Sequence, residues 1–410
     1  MVRSGMARLG IGKLKPTALL ATVAVLGLYY VLLKTSLAPG TLRQARQFKP
    51  KRRSVQSCVH DPIPCPRLRY AHGRLGDGNA TRNSTWLIDL RDFAYLLDAP
   101  PCADAPGREA ALLVLVHSAA AHFAERDVIR STWGAGWPRS NVTTRVVFML
   151  ARTPGDPALE ERMERENRRY GDTVQGNFVD SYRNLTYKHV MALRWASTRC
   201  GSAAMVLKMD DDIFVHVFQL AAILDKVAAS LKPKVLFCYV QKQMPISRSV
   251  GSKWKVTESE YPGSFFEDYC SGWAYLADMA AVRAMATEAQ YRPYFWVDDV
   301  HVTGTLARMG GVSRSRINHK YTTEADSLAL WAKPGDPRDS GLLDWGYAFG
   351  PTWGDVALVA RAHRKALWCR RRACKCCFKA VSANAGGATN GSSAKNGVIG
   401  KAVVKPLSGV

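Results

Sequence analysis

The sequence predicts an α/β fold with a mostly parallel central sheet, preceded by a single transmembrane helix. Three observations predict it. Between residues 110 and 285, continuous apolar runs of strand length alternate with segments of helical spacing. One of these runs, Ala203-Ala204-Met205-Val206-Leu207, is followed by Lys208-Met209 and three consecutive carboxylates, Asp210-Asp211-Asp212. In open α/β sheets the crevice outside the carboxyl ends of the strands is where ligands bind. Near the N-terminus, Pro16 to Leu33 contains no charged side chain, and as a helix it would rise about 27 Å, close to a bilayer core.

Each element follows from its own signal. Ala111 to Ser118 is an unbroken apolar run, as expected of a strand buried on both faces. Phe123 to Trp133 follows as a helix, and Arg145 to Leu150 as a second strand. The next helix is punctuated by Asp156 as N-cap, Pro157 at the first helical position and Gly171 as terminator. Val174 to Phe178 reads as a third strand. Leu185 to Ser197 reads as a helix with Met191 and Trp195 one turn apart on its apolar face. The strand leading to the acid triplet comes next, followed by a helix to about Leu231 and a strand over Val235 to Val240. Beyond Gln241 the pattern loosens into an aromatic loop region holding Trp254, Tyr261, Phe265 and Phe266. Tyr269 to Leu276 reads as a strand and Asp278 to Met285 as a helix.

The segment flanked by Lys15 and Lys34 is long for the apolar part of a cleaved signal peptide and reads as an uncleaved anchor. Basic residues lie on both sides of it, so charge alone does not orient it. Sequons at Asn79, Asn83, Asn141, Asn184 and Asn390, and ten cysteines that all follow the anchor, place the C-terminal bulk in an oxidising lumen. The expected division is a cytosolic tail over 1–15, the span over 16–33, a Pro/Arg/Gly-rich stem over 34–107, a folded domain over 108–375 and a disordered tail over 376–410. Pairing of the cysteines cannot be deduced. Cys369, Cys374, Cys376 and Cys377 do not have a standard zinc spacing and read as disulfides or thiols.

The formal charge of +23 would suit an anionic partner. Much of it lies in two clusters outside the expected core, Lys49 to Arg53 and Arg364 to Lys379, and no zinc finger, helix-turn-helix or RNP-type pattern accompanies it. Nucleic acid is therefore not an expected partner.

Two acidic sites carry the candidate chemistry. Adjacent carboxylates repel one another and need a cation or strong donors to stay ionised, and hard oxygen ligands suit Mg²⁺ or Mn²⁺. Asp210-Asp211-Asp212 is thus a candidate metal and diphosphate site, or alternatively an acidic turn capping the next helix. Asp298-Asp299 offers a general base, or alternatively the first turn of a helix over Val300 to Met309.

Five motifs in order then resemble the β-1,3-glycosyltransferases of glycosyltransferase family 31. They are Arg126-Asp127-Val128-Ile129-Arg130-Ser131-Thr132-Trp133-Gly134, Phe178 to Lys188, Lys208 to Val215, Tyr269-Cys270-Ser271-Gly272 with Tyr275, and Asp298-Asp299-Val300 with Gly304. The resemblance implies a GT-A-type nucleotide-sugar-binding domain over 108–375 and a single-pass type II Golgi membrane enzyme with a lumenal catalytic domain. It also implies an inverting mechanism with a UDP-sugar donor and a divalent cation, commonly Mn²⁺. Asp210 and Asp211 become donor-binding residues, with Arg126, Arg130 and Lys188 as further donor contacts. Asp210 and Asp212 become metal ligands, with His319 as candidate third ligand, and Asp298 or Asp299 becomes the base. Asp298 is one methylene shorter than the family's usual Glu. Trp133 and Tyr182 are expected to pack in the core rather than against sugar. The function implied is transfer of galactose from UDP-galactose in β-1,3 linkage to a glycoprotein or glycolipid glycan. UDP-N-acetylglucosamine is the alternative donor, and an inactive lumenal binding or chaperone-like protein on the same fold is the alternative of a different class.

Overall fold

The computed structural model describes residues 94–102, 111–135, 143–228, 233–333 and 343–378. Its centre is an eight-stranded mixed sheet in the order β1-β4-β3-β2-β5-β8-β7-β9. The strands are β1 (Tyr95–Leu97), β2 (Leu112–His117), β3 (Thr144–Arg152), β4 (Thr173–Val179), β5 (Met205–Asp210), β7 (Val235–Gln241), β8 (Tyr269–Asp278) and β9 (Ser313–Arg316). The four central strands β4-β3-β2-β5 run parallel. β8 pairs antiparallel with both β5 and β7, and β1 antiparallel with β4, so the parallel character is confined to the middle and the β7–β9 edge.

Alternation along the strands divides the core in two. Leu113, Leu115, Val147 and Met149 face one side, where they pack with residues of α3 (Leu185–Arg199) and α5 (Met279–Ala289). Leu112, Val114, Val116 and Phe148 face the other. There they meet α1 (Phe123–Ser131), α4 (Val217–Ala228), α6 (Ala325–Ala332) and α7 (Val356–Arg372). Because both faces are covered, β2 is buried at every position, which is why it reads as an unbroken apolar run. The helix α2 (Pro157–Tyr170) is capped as expected: the Asp156 carboxylate accepts from the Leu159 N–H at 3.0 Å, and Gly171 takes φ 64°.

α3 is the helix that joins core to site. It is buried nearly all round, including Lys188 and His189. A buried ammonium or imidazole needs a partner, and both have one. Lys188 Nζ donates to Asp180 Oδ1, and His189 Nδ1 lies 2.9 Å from Asp298 Oδ2.

The structure corrects several expectations. β1 is part of the sheet and Cys102 forms a disulfide with Cys200 at the end of α3, so the stem does not extend to residue 107. A second disulfide joins Cys238 on β7 to Cys270 on β8. The tail does not begin at 376, because β12 (Lys375–Phe378) pairs with β10 (Leu343–Trp345). The short strands β6 (Ile213–Val215) and β11 (Phe349–Pro351) also pair, antiparallel, immediately after the acid triplet. α6 and α7 have no counterpart in the sequence reading. The basic residues Arg364, Arg370, Arg371 and Arg372 lie on the exposed side of α7, opposite buried Leu358, Ala362 and Ala366. The cytosolic tail, the anchor over 16–33, Asn79, Asn83, Asn141 and Asn390 lie outside the described residues. No helix among the described residues is long and apolar enough to cross a membrane.

Candidate active site

The acid triplet stands where the carboxyl end of β5 emerges from the sheet, with Asp210 in register with His117 of β2. The turn is tied from three directions. The Asp211 N–H donates to the His117 carbonyl at 3.1 Å. The Asp211 carboxylate meets His122 Nδ1 at 2.9 Å, and that contact raises the imidazole pKa. The Asp212 carbonyl accepts from both the N–H and the hydroxyl of Thr352, at 2.8 and 2.7 Å, so the C-terminal segment closes over the triplet from behind.

Lys208, 1% exposed, organises what lies between the two acidic sites. Its ammonium donates to Asp210 Oδ1 at 2.8 Å and to the Gly272 carbonyl. Burial alone would drive the proton off. The Asp210 and Asp298 charges overcome this and hold its pKa above the ordinary lysine value. The ammonium thus stands between the triplet and Asp298-Asp299.

The second acidic pair is split by its surroundings. Both carboxyls suffer from burial. For Asp298 the His189 hydrogen bond and the Lys208 charge outweigh it, and the group is held below the usual carboxylate range. His189 is itself fixed on its other side, Nε2 lying 2.6 Å from the Tyr275 hydroxyl. For Asp299 burial wins, reinforced by the neighbouring Asp298 charge, and its pKa is pushed up to about 7. Two carboxyls whose environments push them apart in this way are the physical signature of divided roles. A group near pH 7 suits a general base.

Asp299 is positioned by backbone. Its oxygens accept from the N–H of Val300 at 2.8 Å and of Gly272 at 3.2 Å. Beyond it the expected helix does form, wound as a π-helix over Val300–Leu306 and continued by Ala307–Met309, a winding often found at functional sites. A Cβ on Gly272 would stand 2.9 Å from Asp299 Cβ. Gly272→Ala is therefore expected to displace Asp299, lowering catalytic activity at least tenfold while costing about 1–3 kcal/mol of stability through overpacking at this close approach. Parallel kcat and thermal-unfolding measurements check this. Unchanged kcat would show that the close approach is not needed.

Not every expected site residue reaches this place. Arg126 is 0% exposed and all five of its N–H donors are taken: two on Glu166, the others on the Ser118 hydroxyl and the carbonyls of Ala119 and Ala120. Arg130 is committed to Asp172, Asp127 and Glu166 and stacks on Phe148 and Tyr170. Lys188 Nζ holds the Ser118 carbonyl and Asp180. These three are corrected from donor contacts to structural cations. Arg126 and Lys188 fasten the loop after β2 that leads to His122.

His319 is exposed on a short helical turn, and among the described residues no three His, Cys, Asp or Glu side chains converge on one point, so it does not complete a metal site with Asp210 and Asp212. Asn184 is 4% exposed and its amide donates to the Val179 carbonyl at 2.8 Å, which leaves no room for a glycan on that sequon. Trp133 is buried as expected, but Tyr182 is 44% exposed. His122, His189 and Tyr275 were missed as site residues. Tyr275 closes the motif that begins at Tyr269, whereas His122 and His189 are only polar residues near a motif, and the partners of the three lie 86, 89 and 109 residues away.

The sequence family described as "Galactosyltransferase" matches residues 124–318, which contain both acidic sites and the residues just placed around them except Thr352, His117 and the loop at Ser118–His122. A Homo sapiens protein named "Acetylgalactosaminyl-O-glycosyl-glycoprotein beta-1,3-N-acetylglucosaminyltransferase" is 37% identical over 230 residues, covering 54% of this chain and 58% of that protein. Its Mus musculus namesake is 33% identical over 227 residues, covering 54% and 57%. The Homo sapiens "Beta-1,3-galactosyltransferase 1" is 31% identical over 223 residues, covering 54% of this chain and 67% of that protein. The chain thus spans less than two thirds of the length of the first two relatives.

Proposed function

The chain belongs to the galactosyltransferase family of β-1,3-glycosyltransferases, and from that premise we propose that it is an inverting hexosyltransferase. It moves galactose from UDP-galactose to a hydroxyl of a glycoprotein or glycolipid glycan in β-1,3 linkage. The observation that carries the reading is Asp299, a half-buried carboxyl with its pKa raised to about 7, separated from the acid triplet by the Lys208 ammonium.

In the proposed step Asp299 removes the proton from the acceptor hydroxyl as that oxygen bonds to the anomeric carbon of the donor sugar. The bond from that carbon to the diphosphate oxygen breaks on the opposite face, and UDP leaves with the electron pair. Lys208 stays charged throughout and lowers the energy of the negative charge around it. Asp298, ionised and held by His189, keeps the segment in place.

The donor set fits a divalent cation of the Mg²⁺ or Mn²⁺ kind. Such ions take one or two carboxylates and complete their shell with phosphate and water, so a closed protein cage is not required. Asp212 has a pKa of about 7, raised by burial and then by the Asp210 and Asp211 charges, a repulsion that a cation would relieve. Asp210 and Asp212 would hold the ion, and its chemistry there is neutralisation of the leaving diphosphate. A GT-A-type fold, a single-pass type II Golgi membrane location and lumenal catalysis belong to the same proposal.

A second reading, transfer of N-acetylglucosamine from UDP-N-acetylglucosamine, is favoured by the name of the relative at 37% identity. The test is a panel of UDP-sugars with Mn²⁺, with and without chelator, on the full chain in detergent beside Asp212→Ala. Galactose transfer that chelator and Asp212→Ala both abolish supports the first reading, and N-acetylglucosamine transfer supports the second. A folded chain that consumes no UDP-sugar overturns both and favours a lumenal binding or chaperone-like protein. Release of the full chain from membranes without detergent would count against the anchor.

A further inference from the structure

We propose that Tyr182 and Trp254, with Lys253, form the subsite that holds a pyranose ring of the acceptor beside Asp299. The proposal rests on the transferase reading above and names the side of the site that takes the acceptor.

The two rings are exposed although their neighbours are not. Tyr182 is 44% and Trp254 46% exposed, whereas the aromatic side chains around them, Tyr294, Phe295 and Trp296, are buried. Lys253 Nζ stands 4.4 Å from the Trp254 ring centroid and 5.8 Å from that of Tyr182. A pyranose offers an apolar face of C–H groups and a rim of hydroxyls. Aromatic faces suit the first, and an ammonium donor suits the second.

The ledge is built rigidly onto the segment that carries the base. Tyr182 packs on Trp296 at 5.9 Å, and Trp296 lies two residues before Asp298. The Trp296 indole N–H donates to Glu260 Oε1 at 3.1 Å, and Arg183 both pairs with Glu260 and stacks on Trp296 at 4.2 Å. Glu260 in turn accepts from the Thr257 N–H at 2.8 Å, fixing the loop that presents Trp254. An exposed ring pair held this firmly is not an idle loop.

Its side of the site follows from the packing of Tyr182 on Trp296, two residues before Asp298, and the charges that act on the Tyr182 hydroxyl agree. After burial, the strongest are Asp298 and Asp299, with Asp210 behind them. The ledge therefore borders the base rather than the triplet, and the acceptor must reach the base.

The experiment uses the full chain in detergent, with aryl galactosides and aryl N-acetylgalactosaminides as acceptors and separate titrations of acceptor and UDP-sugar. For Trp254→Ala the acceptor KM is expected to rise about tenfold or more, the loss of roughly one stacking contact. The UDP-sugar KM is expected to stay within twofold, and Trp254→Phe to restore most of the loss. A rise in the UDP-sugar KM instead, or no change in either, overturns the proposal. Should the wild-type chain consume no UDP-sugar, the transferase reading fails on its own, and the ledge is read by tryptophan fluorescence against the same glycosides. Saturable quenching lost in Trp254→Ala upholds it, and flat titrations of the wild type reject it.

Discussion

Asp299→Asn is expected to lower transfer by about 10²–10⁴-fold, the usual contribution of a positioned general base, while the protein stays folded. The wild-type kcat should rise with pH and level off above about 7, because Asp299 must be deprotonated to accept the hydroxyl proton and its pKa is pushed up to about 7. The residual activity of the Asn variant should lack that limb. Asp298→Asn should keep the limb and lose less, since its carboxylate is already engaged by His189 at 2.9 Å. Stability supplies an independent check on the sign. A carboxyl whose pKa is raised on folding, here from 3.8 to about 7, favours the fold fully only below its unfolded value. That contribution is lost as pH rises through about 7. At pH 8 the wild type therefore carries a partly desolvated charge that Asn does not, and the variant should unfold no earlier. If Asp298→Asn instead removes the pH limb, the base is Asp298.

How much of this was readable in the chain depends on whether the governing interaction is local. β2 and α2 announce themselves, one through burial on both faces, the other through Asp156, Pro157 and Gly171. The three-residue strands β1, β6, β10 and β11 do not, because each exists only through its pairing partner. α7 carries a sound apolar stripe at Leu358, Ala362 and Ala366, but its basic outer face reads first as a charge cluster. The acids were legible as types and in order. Their division of labour was not, since it depends on His189, Gly272 and Lys208, brought to them by the sheet. Tyr182 was expected in the core, because a sequence does not say which aromatic of a motif will stay at the surface.

Arg126 teaches the same lesson with the largest expected effect on stability. An arginine in a motif can meet a phosphate or a carboxylate, and the chain does not say which; here Glu166, 40 residues on, takes it with bonds of 2.8 and 2.7 Å. Removing one partner of a buried pair strands the other charge and costs about 3–5 kcal/mol. Arg126→Met should therefore lower the unfolding temperature by on the order of 10 °C in a domain of this size. Arg126→Met with Glu166→Leu should recover much of that, because no charge is then left unpaired. Recovery should be incomplete, since the carbonyls of Ala119 and Ala120 lose their donors and the loop to His122 loosens. UDP binding by calorimetry separates this from a phosphate-contact role. A single variant that unfolds at the wild-type temperature yet no longer binds UDP would show that the guanidinium serves the donor after all. In the structural role the order is reversed: Arg126→Met is expected to unfold early, and the double variant to regain both its stability and most of its UDP affinity.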